Sequence, residues 1–207
     1  MGRTRGHKER LLAGAKQCLY ERGYGRTTAR DIVEASGTNL ASIGYHFGTK
    51  EALLNAAMME MLGEWGQELE RILASESDEG AGPLGRFEEV WTRVIESFEA
   101  HRPALIASFE AFVQAEHSPE LREQIAAGQE DTRSWLAVLF GNLAGAADEA
   151  TARAVGSFHL ALLNGLMVQW LVDPELAPSG REMAGALRTI LEGVRSAEQE
   201  APPQTRA

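Results

Sequence analysis

Cysteine is almost absent from this 207-residue chain. Cys18 is the only one, so no internal disulfide can form, which suits the reducing cytoplasm. Proline is scarce and β-branched residues are few, while alanine, leucine and glutamate are abundant. That composition predicts an all-helical protein. No run of 18 apolar residues occurs, so no membrane span is expected. The opening MGRTRGHKER lacks the apolar stretch of a secretory leader. There is no phosphate-binding loop, no G-x-S-x-G, no H-E-x-x-H and no cysteine pair, so an enzyme is not expected. His7, His46, His101, His117 and His159 are scattered without ligand spacing, which predicts neither metal nor cofactor.

Charge is the next informative feature. The chain carries −10 overall, which taken alone argues against a nucleic-acid partner. The distribution reverses that reading. Residues 1–50 hold nine Lys/Arg against four Asp/Glu, and residues 51–207 hold eleven against twenty-six. A head of +5 on a body of −15 suits a protein whose front end is drawn to a polyanion while the rest is repelled.

The stretch 27–54, TTARDIVEASGTNLASIGYHFGTKEALL, organises the head. Thr28 and Asp31 have capping-box spacing, which predicts a short helix carrying Ile32, Val33 and Ala35. Gly37 marks a sharp stop. A second helix is expected from Thr38 or Asn39 to Phe47, anchored by Leu40 or Ala41, Ile43 and Phe47. Gly48 and Thr49 close it, and Thr49 caps a long helix opening at Lys50. Two short helices across a glycine turn form the helix-turn-helix pattern, whose second helix enters the DNA major groove. Asn39, Ser42 and Tyr45 can bond to base edges or phosphates, and Tyr45, His46 and Lys50 fall where the phosphate backbone would run.

The run GTNLASIGYHFGTKEALL behind TTARDIVEASG resembles the DNA-binding domain of the TetR family of bacterial transcriptional regulators. The ending YHF-x-[ST]-KE-x-L is its specific part, and the motif likeness covers about the first quarter of the chain. The resemblance implies base-reading or phosphate contacts at Thr28, Arg30, Asn39, Leu40, Ala41, Ser42, Tyr45, His46 and Lys50. An arginine such as Arg30 suits guanine because its fork meets O6 and N7 together. Gly44 departs from the pattern, since many members carry an aromatic residue there. The resemblance further implies a homodimer paired through the last two helices, a pseudo-palindromic double-stranded operator and a small-molecule effector held in the body.

About nine helices are expected in all. Residues 1 to about 7 read as a flexible basic arm, and helix 1 ends at Arg22 with Leu11, Leu12, Ala15, Cys18 and Leu19 inward. The fourth helix, about 50–74, links head to body. A loop at 75–83 precedes helices at about 84–101, 103–117, 119–143, 148–172 and 179–196, with breaks at Pro103, Gly141–Ala147 and Asp173-Pro174. The division is a DNA-binding domain at 1–50, a ligand-binding and dimerisation domain at 51–196 and a disordered tail at 197–207. Trp91, Phe98, Phe109, Phe112, Trp135 and Phe158 are candidates to line an apolar pocket, with Asn164, Gln169 or His159 as polar handles. The same aromatic residues also suit ordinary core packing. The expected function is a cytoplasmic repressor released from its operator by a ligand. The alternatives are an activator of the same fold, or a helical ligand-binding or protein-interaction module.

Overall fold

The structure, a computed structural model, describes residues 2–74, 82–144 and 148–200. Eight α-helices and no strand occur among them. In order they are α1 (Gly2–Arg22), α2 (Ala29–Ser36), α3 (Leu40–Phe47), α4 (Lys50–Ala74), α5 (Pro83–Ala115), α6 (Pro119–Ala144), α7 (Glu149–Val172) and α8 (Gly180–Glu200).

The head is α1 to α3 packed on the start of α4. Its core gathers Leu11, Ala15, Cys18 and Leu19 from α1, Ile32 from α2, Ile43 from α3, and Leu53, Leu54, Ala57 and Met58 from α4. Burial pushes the Cys18 thiol up, so it stays protonated as a small core residue. Gly14 lets α1 and α2 touch. A Cβ there would lie 2.8 Å from the Ser36 Cβ and 3.1 Å from the Ile32 carbonyl oxygen.

The body is α5 to α8 with the second half of α4. Its core holds Trp65, Leu69, Phe87, Trp91, Val94, Phe98, Leu136, Phe140, Leu163, Leu166, Met167 and Trp170. His159 belongs here as well. Its ring stacks on Phe140 with centroids 3.7 Å apart, and its Nδ1 lies 2.8 Å from the Val155 carbonyl oxygen. Desolvation holds its pKa below the usual imidazole value, so it is neutral among the aromatic rings. Helix α6 runs against α7, and Glu130 pairs with Arg133 on its own helix and with Arg153 across that seam.

Three expectations change. Helix α5 runs through Pro103 instead of breaking there. Proline removes one backbone N–H and costs about 3 kcal/mol in a helix interior. Burial of Phe98 before it and of Ala104, Leu105, Ala107 and Ala111 after it outweighs that cost. The N-terminal arm is helical from Gly2, with the Arg10 Nε donating to the Gly6 carbonyl one turn back. Helix α8 continues to Glu200, past the expected start of the tail, while 201–207, the loop at 75–81 and the turn residues 145–147 lie outside the described residues. Helix α7 is long and apolar enough to cross a membrane by length and mean hydropathy, a test that a core helix also passes. One side of it is committed to the bundle core through Leu160, Leu163, Leu166, Met167 and Trp170.

The α6–α7 seam allows a direct check. A Cβ at Gly156 would lie 2.3 Å from the Arg133 carbonyl oxygen. Gly156→Ala is expected to destabilise by about 1–3 kcal/mol, as overpacking does, lowering Tm by roughly 2–10 °C in a chain of this size. An unchanged or raised Tm in differential scanning calorimetry would show that the helices do not approach so closely.

Candidate nucleic-acid interface and effector cavity

The motif folds as its local chemistry dictates. Thr28 caps α2: its Oγ1 accepts from the Asp31 N–H at 3.2 Å, and the Asp31 carboxylate accepts from the Thr28 N–H at 2.8 Å. The Thr28 hydrogen bonds, with Arg22 2.8 Å away, hold the Asp31 carboxyl below its usual range. This depressed value makes the box present at neutral pH, and it is lost only as pH falls through the folded-state pKa. Gly37 ends α2 in the left-handed region at φ 60°, and the Thr38 N–H returns to the Val33 carbonyl at 3.1 Å. Asn39 then caps α3, its Oδ1 accepting from the Ser42 N–H at 3.0 Å and the Ser42 Oγ at 3.2 Å.

Helix α3 is buried only through Ile43, with Phe47 partly packed. Leu40 and Ala41, expected as possible anchors, are instead exposed, Leu40 by 53 %. Tyr45 is 77 % exposed, so its ring does not pack α3 onto the rest of the head. Gly44 lies on this outer side, and a Cβ there would meet nothing within 4 Å. The helix therefore holds a row of side chains out to solvent, and the gap at Gly44 is space, not collision.

Thr28, Arg30 and Asn39 are also exposed, while Ser42, His46 and Lys50 are half-buried. His46 stands edge-on between Tyr45 and Phe47. The Asn39 carbonyl and the Ser42 hydroxyl proton are spent on each other, which leaves the Asn39 amide free to donate and the Ser42 oxygen free to accept. The Lys50 Nζ donates to the Thr27 carbonyl at 3.2 Å and lies 3.3 Å from Glu51. This lysine thus ties the start of α4 to the entry of α2, a role its position in the sequence did not reveal.

Head and body meet at the Gly23–Tyr24 turn, which ends α1 as the Gly23-Tyr24-Gly25 run predicts. Gly23 is left-handed at φ 76°. The Tyr24 N–H donates to the Glu110 carboxylate of α5 at 2.7 Å, and its hydroxyl lies 2.8 Å from the Asn55 Oδ1 of α4. Thr27, buried beside them, donates to the Gly23 carbonyl at 2.7 Å. Glu110 is 86 residues from its partner in sequence. Nothing local to either residue announces the pairing.

Two cavities bear on function. A crevice of about 560 Å³ lies where α1 ends against α5, with Arg22, Arg26, Arg102, Glu21, Glu99 and Glu110 on its walls. Its mixed charge suits water and ion pairs. The second, about 400 Å³, opens between α4, α5, α6 and α7 and has an apolar lining that includes Met59, Leu62, Trp65, Phe112, Trp135 and Met167. Of the aromatic candidates, Phe112 and Trp135 line it. Trp91 and Phe98 are sealed in the body core, Phe109 packs beside that core against Phe112, and Phe158 is 52 % exposed on α7. Asn164 reaches the cavity, whereas His159 is locked in its aromatic stack and the exposed Gln169 lies against its own helix at Gly165. Trp65 and the glycines Gly63, Gly66 and Gly128 were missed. Three glycines inside otherwise strong helical stretches were the available signal, since each withholds a side chain where space is kept.

Comparison with known proteins follows the same outline. Residues 83–194 match the family model described as "Tetracyclin repressor-like, C-terminal domain", and residues 11–57 match "Bacterial regulatory proteins, tetR family". The chain is 28 % identical over 177 residues to the HTH-type transcriptional regulator TtgR of Pseudomonas putida, covering 81 % of each. It is 40 % identical over 53 residues to the HTH-type transcriptional repressor AcnR of Corynebacterium glutamicum, covering 26 % of this chain and 28 % of AcnR. The crystal structure of a TetR transcription regulator from Haloarcula marismortui superposes with a TM-score of 0.63 at 19 % identity, covering 90 % of this chain and 95 % of that one.

The latch at Tyr24 is directly measurable. Glu110→Ala leaves the Tyr24 amide without its acceptor. Hydrogen–deuterium exchange at that amide is expected to quicken by about tenfold or more, the scale of a hydrogen bond to a charged group. Equal exchange in both proteins would remove Glu110 from the head–body contact.

Proposed function

The chain belongs to the TetR family of bacterial regulatory proteins, and on that premise we propose that it is a dimeric repressor that a small apolar ligand releases from its operator. Regulators of this family bind DNA operators and ligands and act as dimers. They are not enzymes. The single observation that carries the reading here is the outer side of α3: Leu40, Ala41 and Tyr45 are exposed on a head of +5, in a chain of −10. These side chains fit thymine methyls and the sugar-phosphate wall of a major groove.

In this reading Asn39, Leu40, Ala41 and Ser42 read bases. Thr28, Tyr45, His46 and Lys50 hold phosphates, and Arg30 on α2 reaches a phosphate or a guanine. The head at 1–50 shares α4 with the body at 51–196. A DNA partner supports a cytoplasmic location.

The dimer is supported by apolar surface that the chain itself does not cover. Ile190, Leu191 and Val194 lie exposed on α8, and Phe158, Val168 and Val172 on α7. Charged groups flank them, as at the rim of a protein interface. A second copy laid on α7 and α8 would cover both rows about one two-fold axis. Such a pair presents two α3 helices to successive major grooves of a pseudo-palindromic site, about 34–36 Å apart.

Release follows from geometry. The cavity wall includes α4, and the Glu110 latch hangs from α5, which also lines the cavity through Ser108, Ala111 and Phe112. A ligand that separates α4 from α5 acts on both supports of the head at once. It needs only to bind the DNA-incompetent spacing better than the competent one. TtgR and AcnR are named a regulator and a repressor, and the repressor reading for this chain takes its direction from them.

Three outcomes test the reading. Lys50→Ala is expected to weaken binding to every DNA sequence and to flatten the salt slope by about one unit. Asn39→Ala is expected to alter the preferred bases in a selection from random duplexes. Fluorescence anisotropy against the chain's own upstream region measures the first, and an unchanged slope would remove Lys50 from the phosphate contacts. For assembly, Ile190→Glu with Val194→Glu is expected to give monomers in analytical ultracentrifugation. A dimer that survives both charges must use another face.

A further inference from the structure

The chemical class of the effector can be read from the lining of the α4–α7 cavity, an inference that rests on the proposed role of that cavity. We infer that it takes a lipophilic cation, an apolar molecule bearing a single positive centre. No lysine, arginine or histidine lines the cavity. Two carboxylates do, Glu70 on α4 and Asp131 on α6, and among the described residues neither meets a cation. Nearby Arg71 and Arg133 are paired with Glu68 and Glu130 instead.

The remaining polar groups point the same way. The Ser108 hydroxyl donates to the Leu105 carbonyl at 2.6 Å and the Thr132 hydroxyl to the Gly128 carbonyl at 2.8 Å. Both retain lone pairs for a ligand but not their protons. The Trp65 N–H donates to the Ser97 Oγ at 3.3 Å, so that ring offers the cavity only its carbon framework. Asn164, Gln67 and Gln129 supply neutral amides. An anion entering this space loses its hydration with no charge to replace it. A cation finds two carboxylates and the rings of Trp65, Phe112 and Trp135 in the lining.

The shape is permissive. Gly63 and Gly66 place no side chain on the α4 wall, and a Cβ at either meets nothing within 4 Å. Met59 and Met167 are flexible fillers that accommodate different outlines. A volume of about 400 Å³ admits a molecule of drug size.

Calorimetry on the full chain tests this with tetraphenylphosphonium and tetraphenylborate, which share a shape and differ in sign. The neutral N-phenyl-1-naphthylamine reports the cavity independently of charge. The cation is expected to bind at least about fivefold more tightly than the anion. Glu70→Gln with Asp131→Asn is expected to shift the cation-to-neutral affinity ratio down by a similar factor. Gly66→Leu, which fills the cavity without a collision at Cβ, is expected to weaken all the probes that bind there. Equal affinities for the two ions, a preference for the anion or an unaltered ratio in the double variant would overturn the cation assignment. If the neutral probe still binds and Gly66→Leu still blocks it, the cavity reading stands while the cation class falls. If no probe binds, or Gly66→Leu changes nothing, both fall together.

Discussion

Helix α4 is buried at its two ends in two different cores, and the molecule is built around that constraint. Leu53, Leu54, Ala57 and Met58 are sealed among the helices of the head. Trp65 and Leu69, two turns and more further on, are sealed among those of the body. Each large apolar side chain so buried contributes about 1.5–3 kcal/mol, so neither end can let go cheaply. A displacement of α4 in one core must therefore appear in the other. The head core also reaches past α4 to Ala104, Ala107, Ala111 and Ala115 of α5 and to Leu121 of α6, so no gap in packing falls near residue 50.

The polar contacts sharpen this arrangement. Lys50 ties the first turn of α4 to the Thr27 carbonyl, and Tyr24 is held from both sides by Asn55 of α4 and Glu110 of α5. The recognition helix α3 is anchored almost wholly through Ile43, which leaves its outer side chains free for a partner. In the proposed reading, anchoring and DNA contact thus fall on opposite sides of one eight-residue helix. The cavity opens just where the two cores share α4, so what fills it bears on the element the head depends on.

Much of this was legible in the sequence because it is local. The Thr28–Asp31 box, the Gly37 stop and the Thr49 cap are set by residues a few positions apart, and each forms as expected. The Asn39 cap is as local, but Asn39 reads equally well as the first residue of the helix. The inward row of α1 was read from helical spacing alone. What escaped was decided by long-range packing. Pro103 signals a break, yet both halves of α5 are held by buried side chains, and the helix continues. Leu40 looks like an anchor by composition, and only the direction of α3 against α1 and α4 shows that it faces outward. Aromatic size does not separate Trp91 and Phe98, which fill the core, from Phe112 and Trp135, which border empty space. Glu110 has no local signature at all, since its partner lies 86 residues away.

The account stands or falls on two α3 helices meeting one duplex together. Hydroxyl-radical footprinting of the full chain on its own upstream region tests this most directly. The account predicts two protected patches of similar width on one side of the helix, their centres about one turn apart. A single patch, or protection spread evenly along the duplex at all salt concentrations, would contradict it.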